Sequence, residues 1–391
     1  MNFTLKALPL AISVAMLPIS AQADEATDAK IAKLEQQVQS LQKQQTNSIA
    51  DKFNFNGFIN VAYISANNDA GYNNATTSAD FNQDSKLGFQ GTFNISNQTQ
   101  AVMQLVTRGA NDWDVEAEWA YISHRFDNGI QARAGRLRVP LFLYSDFLDV
   151  GYAQPFARPP VEVYESVPFS SYTGGDVSYD IEFDNSTLTL QGFGGESDVK
   201  DAERDVVLNN IMGANITWTD FTWTARAVYG QTSIDGEVYL NENPSTIQDR
   251  KSTFTGVSGS YDNGNFFATG EWTQVTIEGA LADNESAYLT LGYRIGEFTP
   301  YVTAAYYETI DNDERANNPT YAFAFDRERT AYSAGLRWDF IDSVALKFDV
   351  TYLTDFNDTH GGLNGNIERA LKGLEMHDST AIYTVKIDAV F

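Results

Sequence analysis

Chemistry near neutral pH has few candidates in this chain: three histidines, His124, His360 and His377, and no cysteine. A hydrolase would need one of them beside a serine, an asparagine or a carboxylate. Period-two reading puts His124 inward beside Arg125, near a short turn, while His360 and His377 share the last long connection. None stands in a recognisable nucleophile motif, so no catalytic residue is assigned. Without cysteine there is no thiol catalysis, no disulfide and no lipid-bearing N-terminal Cys. Asp311, Asp313 and Glu314 lack the full calcium-loop pattern, so no metal site is assigned; no haem or nucleotide motif occurs, and no cofactor is expected.

What remains is electrostatics. Arg108, Arg133, Arg226, Arg294, Arg337, Lys347 and Lys386 alternate with apolar neighbours, as do Glu116, Glu118, Asp176, Asp180 and Glu182. The stretch 139–175 holds Asp146, Asp149, Arg158, Glu162 and Glu165, with Arg136 and Arg138 at its start. Opposed rows of charge at a narrow place make a transverse field that orients polar solutes. The set expected to form it is Arg133, Arg136, Arg138, Arg158, Arg108, Glu116, Glu118, Asp146 and Glu162. The plainer reading is that many of these groups are ordinary internal ion pairs.

Such rows need a scaffold with one wet face, and the sequence writes one repeatedly. From about Lys52 onward, roughly sixteen runs of about ten residues are apolar at every second position, each long enough to cross a bilayer at a tilt. Phe53, Phe55, Ile59, Val61 and Tyr63 share a face in the first run; Tyr383, Val385, Ile387, Ala389 and Phe391 do so in the last. Between them Leu87, Phe89, Phe93 and Ile95, then Val177, Tyr179, Ile181 and Phe183, repeat the pattern. Period two places one set toward oil and the other toward water. Short turns are expected at 96–98, 126–129, 184–186, 219–220, 262–264, 295–297 and 340–342, with mostly longer connections between. The fold class is therefore all-β, a 16-stranded antiparallel transmembrane barrel over 51–391. Hydrophobic residues at 43% and a mean hydropathy of −0.32 fit, because only alternate residues face lipid. A soluble β-sandwich shares the alternation but would not need the aromatic strand ends or a secretory start.

That start is residues 1–23, a signal peptide with Lys6, an apolar stretch to about Ile19 and Ala21-Gln22-Ala23 at the cleavage site. In 24–50, Ile31, Leu34, Val38 and Leu41 form a short heptad seam, a coiled-coil segment on the periplasmic side. Its alternative is a free helical tether. The net charge of −26 makes nucleic acid an unsuitable partner.

About sixteen strands, a long third outer connection (139–175) and a final Phe391 make the chain resemble the trimeric porins of Gram-negative bacteria; the heptad leader is similar to that of dicarboxylate- and phosphate-type selective members. The resemblance implies an outer-membrane location, a homotrimer, and Phe391 as a signal to the outer-membrane assembly machinery. It also implies contact with lipopolysaccharide and outer-membrane lipid, and the third connection folded inward. The expected function is passive diffusion of small hydrophilic, charged solutes, not enzymatic catalysis. The alternatives are an outer-membrane barrel enzyme of phospholipase or protease type, or a structural or receptor barrel. Aromatic Phe142, Phe147, Tyr152, Phe156, Tyr164 and Phe169, with Pro140, Pro155, Pro159 and Pro160, suit a stretch packed rigidly against an inner wall.

Overall fold

A computed structural model of the chain describes residue 36 and residues 52–200, 204–240, 243–279 and 281–391. The signal peptide and all but one residue of the coiled-coil segment lie outside the described residues. Sixteen strands follow in order: β1 (Phe53–Ala66), β2 (Lys86–Asn94), β3 (Thr99–Arg108), β4 (Val115–Arg125), β5 (Gln131–Arg138), β6 (Ser171–Phe183), β7 (Ser186–Lys200) and β8 (Arg204–Thr219). The second half comprises β9 (Trp223–Leu240), β10 (Asn243–Asp262), β11 (Phe266–Ile277), β12 (Asn284–Tyr293), β13 (Phe298–Thr309), β14 (Glu328–Ile341), β15 (Val344–Thr354) and β16 (Thr380–Val390). Each pairs antiparallel with its neighbours in sequence, and β1 pairs with β16 to close the barrel. At the seam the Gly57 N–H donates to the Phe391 carbonyl at 2.8 Å and the Phe391 N–H returns to Gly57 at 3.0 Å. Closure leaves no free sheet edge, which is what lets strands cross a membrane.

The period-two reading holds through most of the wall. Phe55, Val61, Phe89, Val177, Tyr229, Val257, Val350 and Tyr383 stand exposed on the outer face. Asn60, Gln104, Asp176, Asn215, Thr290, Lys347 and Thr384 are buried on the inner one. Three turns fall later than expected, at 220–222, 263–265 and 342–343. The first two are set by side chains: Asp220 Oδ1 accepts from the Thr222 and Trp223 N–H groups, and Asn263 Oδ1 from Asn265 and Phe266. The connections after β7 and β9 are short, not long, because β7 and β8 run for 15 and 16 residues and β9 and β10 for 18 and 20.

Bulges change the parity locally. Between β3 and β4 the register shifts at Gln104/Leu105, where Glu118 is the extra residue. Glu116 and Glu118 therefore point inward, yet beyond the bulge so do Tyr121 and Ser123, and Ile122 is 55% exposed on the outside. Similar shifts occur at Asn209/Met212 between β8 and β9 and at Ile247/Arg250 between β9 and β10. Past them the apolar residues Val206, Leu208, Ile234 and Ile247 are buried on the inside. A sheet with its outer face in water and its inner face packed has this polarity, so the bulges mark where the wall leaves the apolar band.

The third outer connection is shorter than expected, 139–170, because Ser171–Gly175 already belong to β6. Gly174 and Gly175 face Gly195 and Gly194 across the ladder. A Cβ on Gly174 would lie 2.1 Å from the Gly194 carbonyl oxygen, and one on Gly195 2.2 Å from that of Thr173. Gly174→Val is expected to destabilise the barrel by about 1–3 kcal/mol by forcing the two strands apart. Gly192→Ala, whose Cβ meets nothing closer than 4.0 Å, should be tolerated. Urea titration of the refolded proteins in detergent checks both.

Candidate functional site

Connection 139–170 crosses the interior and is tied to the wall almost all the way round. At its first end Asp149 is the hub: Lys86 Nζ reaches Oδ1 at 2.8 Å, and Arg108 Nη2 and Arg138 Nη2 both reach Oδ2 at 2.8 Å. Asn60 Nδ2 donates to the Asp149 carbonyl at 2.8 Å. Arg108 also pairs with Glu116 and Glu118, and Glu118 accepts from Ser170 at 3.1 Å. Burial opposes ionisation of Asp149, but Lys86, Arg138 and Arg108 outweigh it and hold its carboxyl well below 3.8.

The far end is held by a second ionic group. Arg329 Nε meets Glu162 Oε1 and its Nη2 meets Glu165 Oε2, both at 2.9 Å. Arg158 pairs with Asp84 at 2.8 Å and donates to Thr384. Between the ends, Glu271 on β11 accepts from the Leu143 N–H at 2.7 Å and from Tyr164. Phe142 meets Phe254 edge-on, and Tyr144 meets Phe156 likewise. The described polar contacts of the connection thus reach β1–β5, β9, β11 and β13–β16.

The wall β6–β8 is left with its own network. Arg133 Nε donates to Asp176 Oδ1 at 2.9 Å, Gln191 Nε2 to Asp176 Oδ2 at 2.9 Å, and Asn215 Nδ2 to Gln191 at 2.8 Å. Arg226 donates to Thr217 at 3.1 Å and to the Pro140 carbonyl, not to a carboxylate. Opposite them, on the connection, Asp146 is exposed, and its charge acts on both Arg133 and Arg226. A separate cavity of about 350 Å³ opens near Asn60, Tyr72, Lys86, Arg158, Glu165 and Lys386.

Of the nine residues expected to set the field, Arg108, Arg138, Glu116 and Glu118 gather around Asp149, Arg158 and Glu162 sit under the second ionic group, and Arg133 and Asp146 flank the open side. Arg136 goes elsewhere. Arg133 and Leu137 face inward, so Arg136 shares the outer face with Ala134, is exposed, and donates from Nε to the Ala117 carbonyl at 2.6 Å. The Glu118 bulge explains this, since it frees the Ala117 carbonyl from the ladder. The same bulge turns His124 outward, where Nδ1 bonds Thr99 at 2.8 Å and the ring meets Phe126 edge-on; the inward placement expected for it is corrected. Sequence reasoning missed Glu271 and Asp388. Their inward parity was readable, but their partners lie too far along the chain to be read from spacing. Among the described residues no group of three or more His, Asp or Glu is placed to hold a metal ion.

A family model described as Gram-negative porin matches residues 11–361. No curated relative matches the sequence. Solved structures share the fold at low identity. Salmonella typhi OmpF in complex with daunomycin aligns with a TM-score of 0.59 at 10% identity, over 87% of this chain and 97% of that one. The outer membrane channel DcaP of Acinetobacter baumannii aligns at 0.54 and 11%, over 87% and 97%. An anion-selective porin from Comamonas acidovorans aligns at 0.52 and 16%, over 87% and 99%.

His360, in the connection 355–379, is nearly fully buried; Nε2 donates to the Phe323 carbonyl at 2.8 Å and Nδ1 accepts from the Gly362 N–H at 3.0 Å. Acceptance at Nδ1 requires the neutral ring, since both nitrogens of a protonated one are donors. Burial, with Arg327 and Arg329 nearby, lowers its pKa from 6.5 to about 4. The unfolded ring protonates first on acidification, so the tie is intact above 6.5 and its stability is lost as pH falls through about 4. Proteolysis of the 355–379 connection is expected to accelerate between pH 7 and pH 5, and His360→Gln to flatten that dependence.

Proposed function

The chain belongs to the Gram-negative porin family, an outer-membrane barrel for passive diffusion of small hydrophilic solutes, and on that premise we propose that solutes pass between connection 139–170 and the wall β6–β8. The observation that carries this is that the exposed carboxylate of Asp146 acts at a distance on Arg226, whose guanidinium has main-chain and hydroxyl partners and no carboxylate bonded to it. Elsewhere the connection is pinned to the wall, and its charges are spent on one another. Arg133, held by Asp176, stands beside them, so positive charge on the wall faces a carboxylate on the loop across the passage. Such a field selects charged and dipolar solutes over apolar ones of equal size. The acidic outer hairpins, with Asp198, Asp205, Asp235 and Glu237, favour entry of cations. Family membership disfavours the barrel-enzyme alternative.

The same reading includes a homotrimer, with signal peptide 1–23 removed and segment 24–50 forming a short coiled coil. It further includes assembly directed by Phe391 and lipopolysaccharide against the outer face. Arg136 supports the trimer. It lies five residues (136 minus 131) into β5. At about 3.3 Å per residue and a tilt of about 45°, that is roughly 12 Å up an apolar band about 25 Å tall. An arginine facing lipid at that depth costs about 2–4 kcal/mol. The small neighbours Ala117, Ala120, Ala134 and Thr173 leave this face flat enough for a second copy of the chain to cover it.

Two measurements check these readings. In planar bilayers under a salt gradient, Asp146→Asn should move the zero-current potential toward anions and Arg226→Gln toward cations; no shift in either would remove the passage from β6–β8. Semi-native electrophoresis of Arg136→Glu should show folded monomers in place of trimers.

A further inference from the structure

Arg337, Lys347 and Lys386 lie side by side on β14, β15 and β16, Arg337 opposite Lys347 and Lys347 opposite Lys386 in the ladder. Like charges directly opposite one another destabilise a sheet unless something answers them. Arg337 has a carboxylate of its own, Asp339, whose Oδ1 lies 2.7 Å from Nη2; the rest of the answer is largely main chain. Arg337 Nη1 donates to the carbonyls of Tyr152 at 2.7 Å and Gln154 at 2.9 Å. Lys347 Nζ donates to Gly151 and Gln154 at 2.8 Å and to Phe156 at 3.0 Å. Lys386 Nζ donates to Ala157 at 2.8 Å. Asp388 completes the set, its Oδ2 at 2.8 Å and its Oδ1 at 3.5 Å from the two lysines. Lys347 and Asp388 have no exposed surface at all.

We infer that this row is a positioning device, holding segment 151–157 of the connection against the wall and taking no part in choosing solutes. An irregular segment inside a barrel has carbonyl groups that no ladder satisfies, and each must find a donor or lose the free energy of a hydrogen bond. Three fixed cations supply six such bonds, counted as two, three and one from the contacts above. A neutral side chain of similar size could fill the space but could not donate to three carbonyls at once, as the Lys347 ammonium does. The aromatic ring of Tyr152 also lies under the Arg337 guanidinium, 4.7 Å from its centroid. The charge of Lys347 meets protein on every side, so it does not touch the solute. By their sign and parity these three residues belong with the solute-facing charges; by their partners they belong to the framework.

The assignment rests on the passage proposed above, and its test separates the two. The chain has no cysteine, so Lys347→Cys carries a unique thiol. In unfolded protein the thiol gives up its proton to the buffer and the thiolate displaces bromide from 2-bromoethylammonium, forming one C–S bond as the C–Br bond breaks; the product has the length and ammonium of lysine. After refolding, single channels of Lys347→Cys should lose the single quiet level and visit sub-conductance states, with the zero-current potential unmoved. The aminoethylated protein should recover the quiet level. A quiet Lys347→Cys channel overturns the assignment, as does a potential shift as large as that of Arg226→Gln. Should Lys347→Cys fail to refold, Lys386→Met, which loses a single carbonyl contact, gives the same two readouts. A flickering Lys347→Cys beside an Arg226→Gln channel of unchanged potential would leave the clamp standing and remove the passage.

Discussion

The structure depends on one constraint: a stretch of irregular main chain, 139–170, sits inside a membrane barrel and must have its polar groups satisfied there. Water serves loops at a surface, but a segment pressed on an inner wall needs protein donors and acceptors. The barrel provides them asymmetrically. Cations on β14–β16 meet carbonyls, Glu271 meets an N–H and a phenol, and ionic groups around Asp149 and Arg329 fix the two ends. Along β6–β8 the connection has apolar neighbours such as Phe193 and Ile211 but no polar tie among the described residues, and this is where the passage is proposed.

This explains why so many interior charges are poor guides to selectivity. A buried ion must be paired or hydrogen-bonded, and the loop is the nearest source of partners. Arg108, Arg138 and Lys86 share a single carboxylate, Asp149, which is 3% exposed. Asp146 is exposed on the connection, and its charge acts on Arg133 and Arg226 of the wall.

The barrel itself was legible in the sequence because period two survives any context: alternate residues meet lipid, and lipid tolerates few side chains. Strand number, closure and most inward positions follow from that alone. The outward face of Arg136 follows from the inward Arg133 by period two alone, whereas the parity of His124 was not legible, because the bulge at Glu118 inserts one residue without changing the local composition. The end of the third connection was hidden by Gly174 and Gly175, which have no side chains to show period two and whose ladder partners Gly194 and Gly195 are equally silent. Nor could spacing reveal the partners of Asp149, which come from 63 and 41 residues away as well as from nearby.

The row on β14–β16 also bears on how the molecule is made. Its bonds to the connection join residues 183 to 229 positions apart, so the first strands and the whole of the connection can exist before any of those donors does. Contacts of such separation form late and slowly, since the intervening chain must be ordered first. Asp149 can meet its partners on β1–β3 and β5 early, but segment 151–157 cannot dock until the last strands arrive, which ties its docking to the joining of β16 to β1. Until that moment the nascent cylinder is an open trough with a loose strap, and only the completed ring has a defined bore.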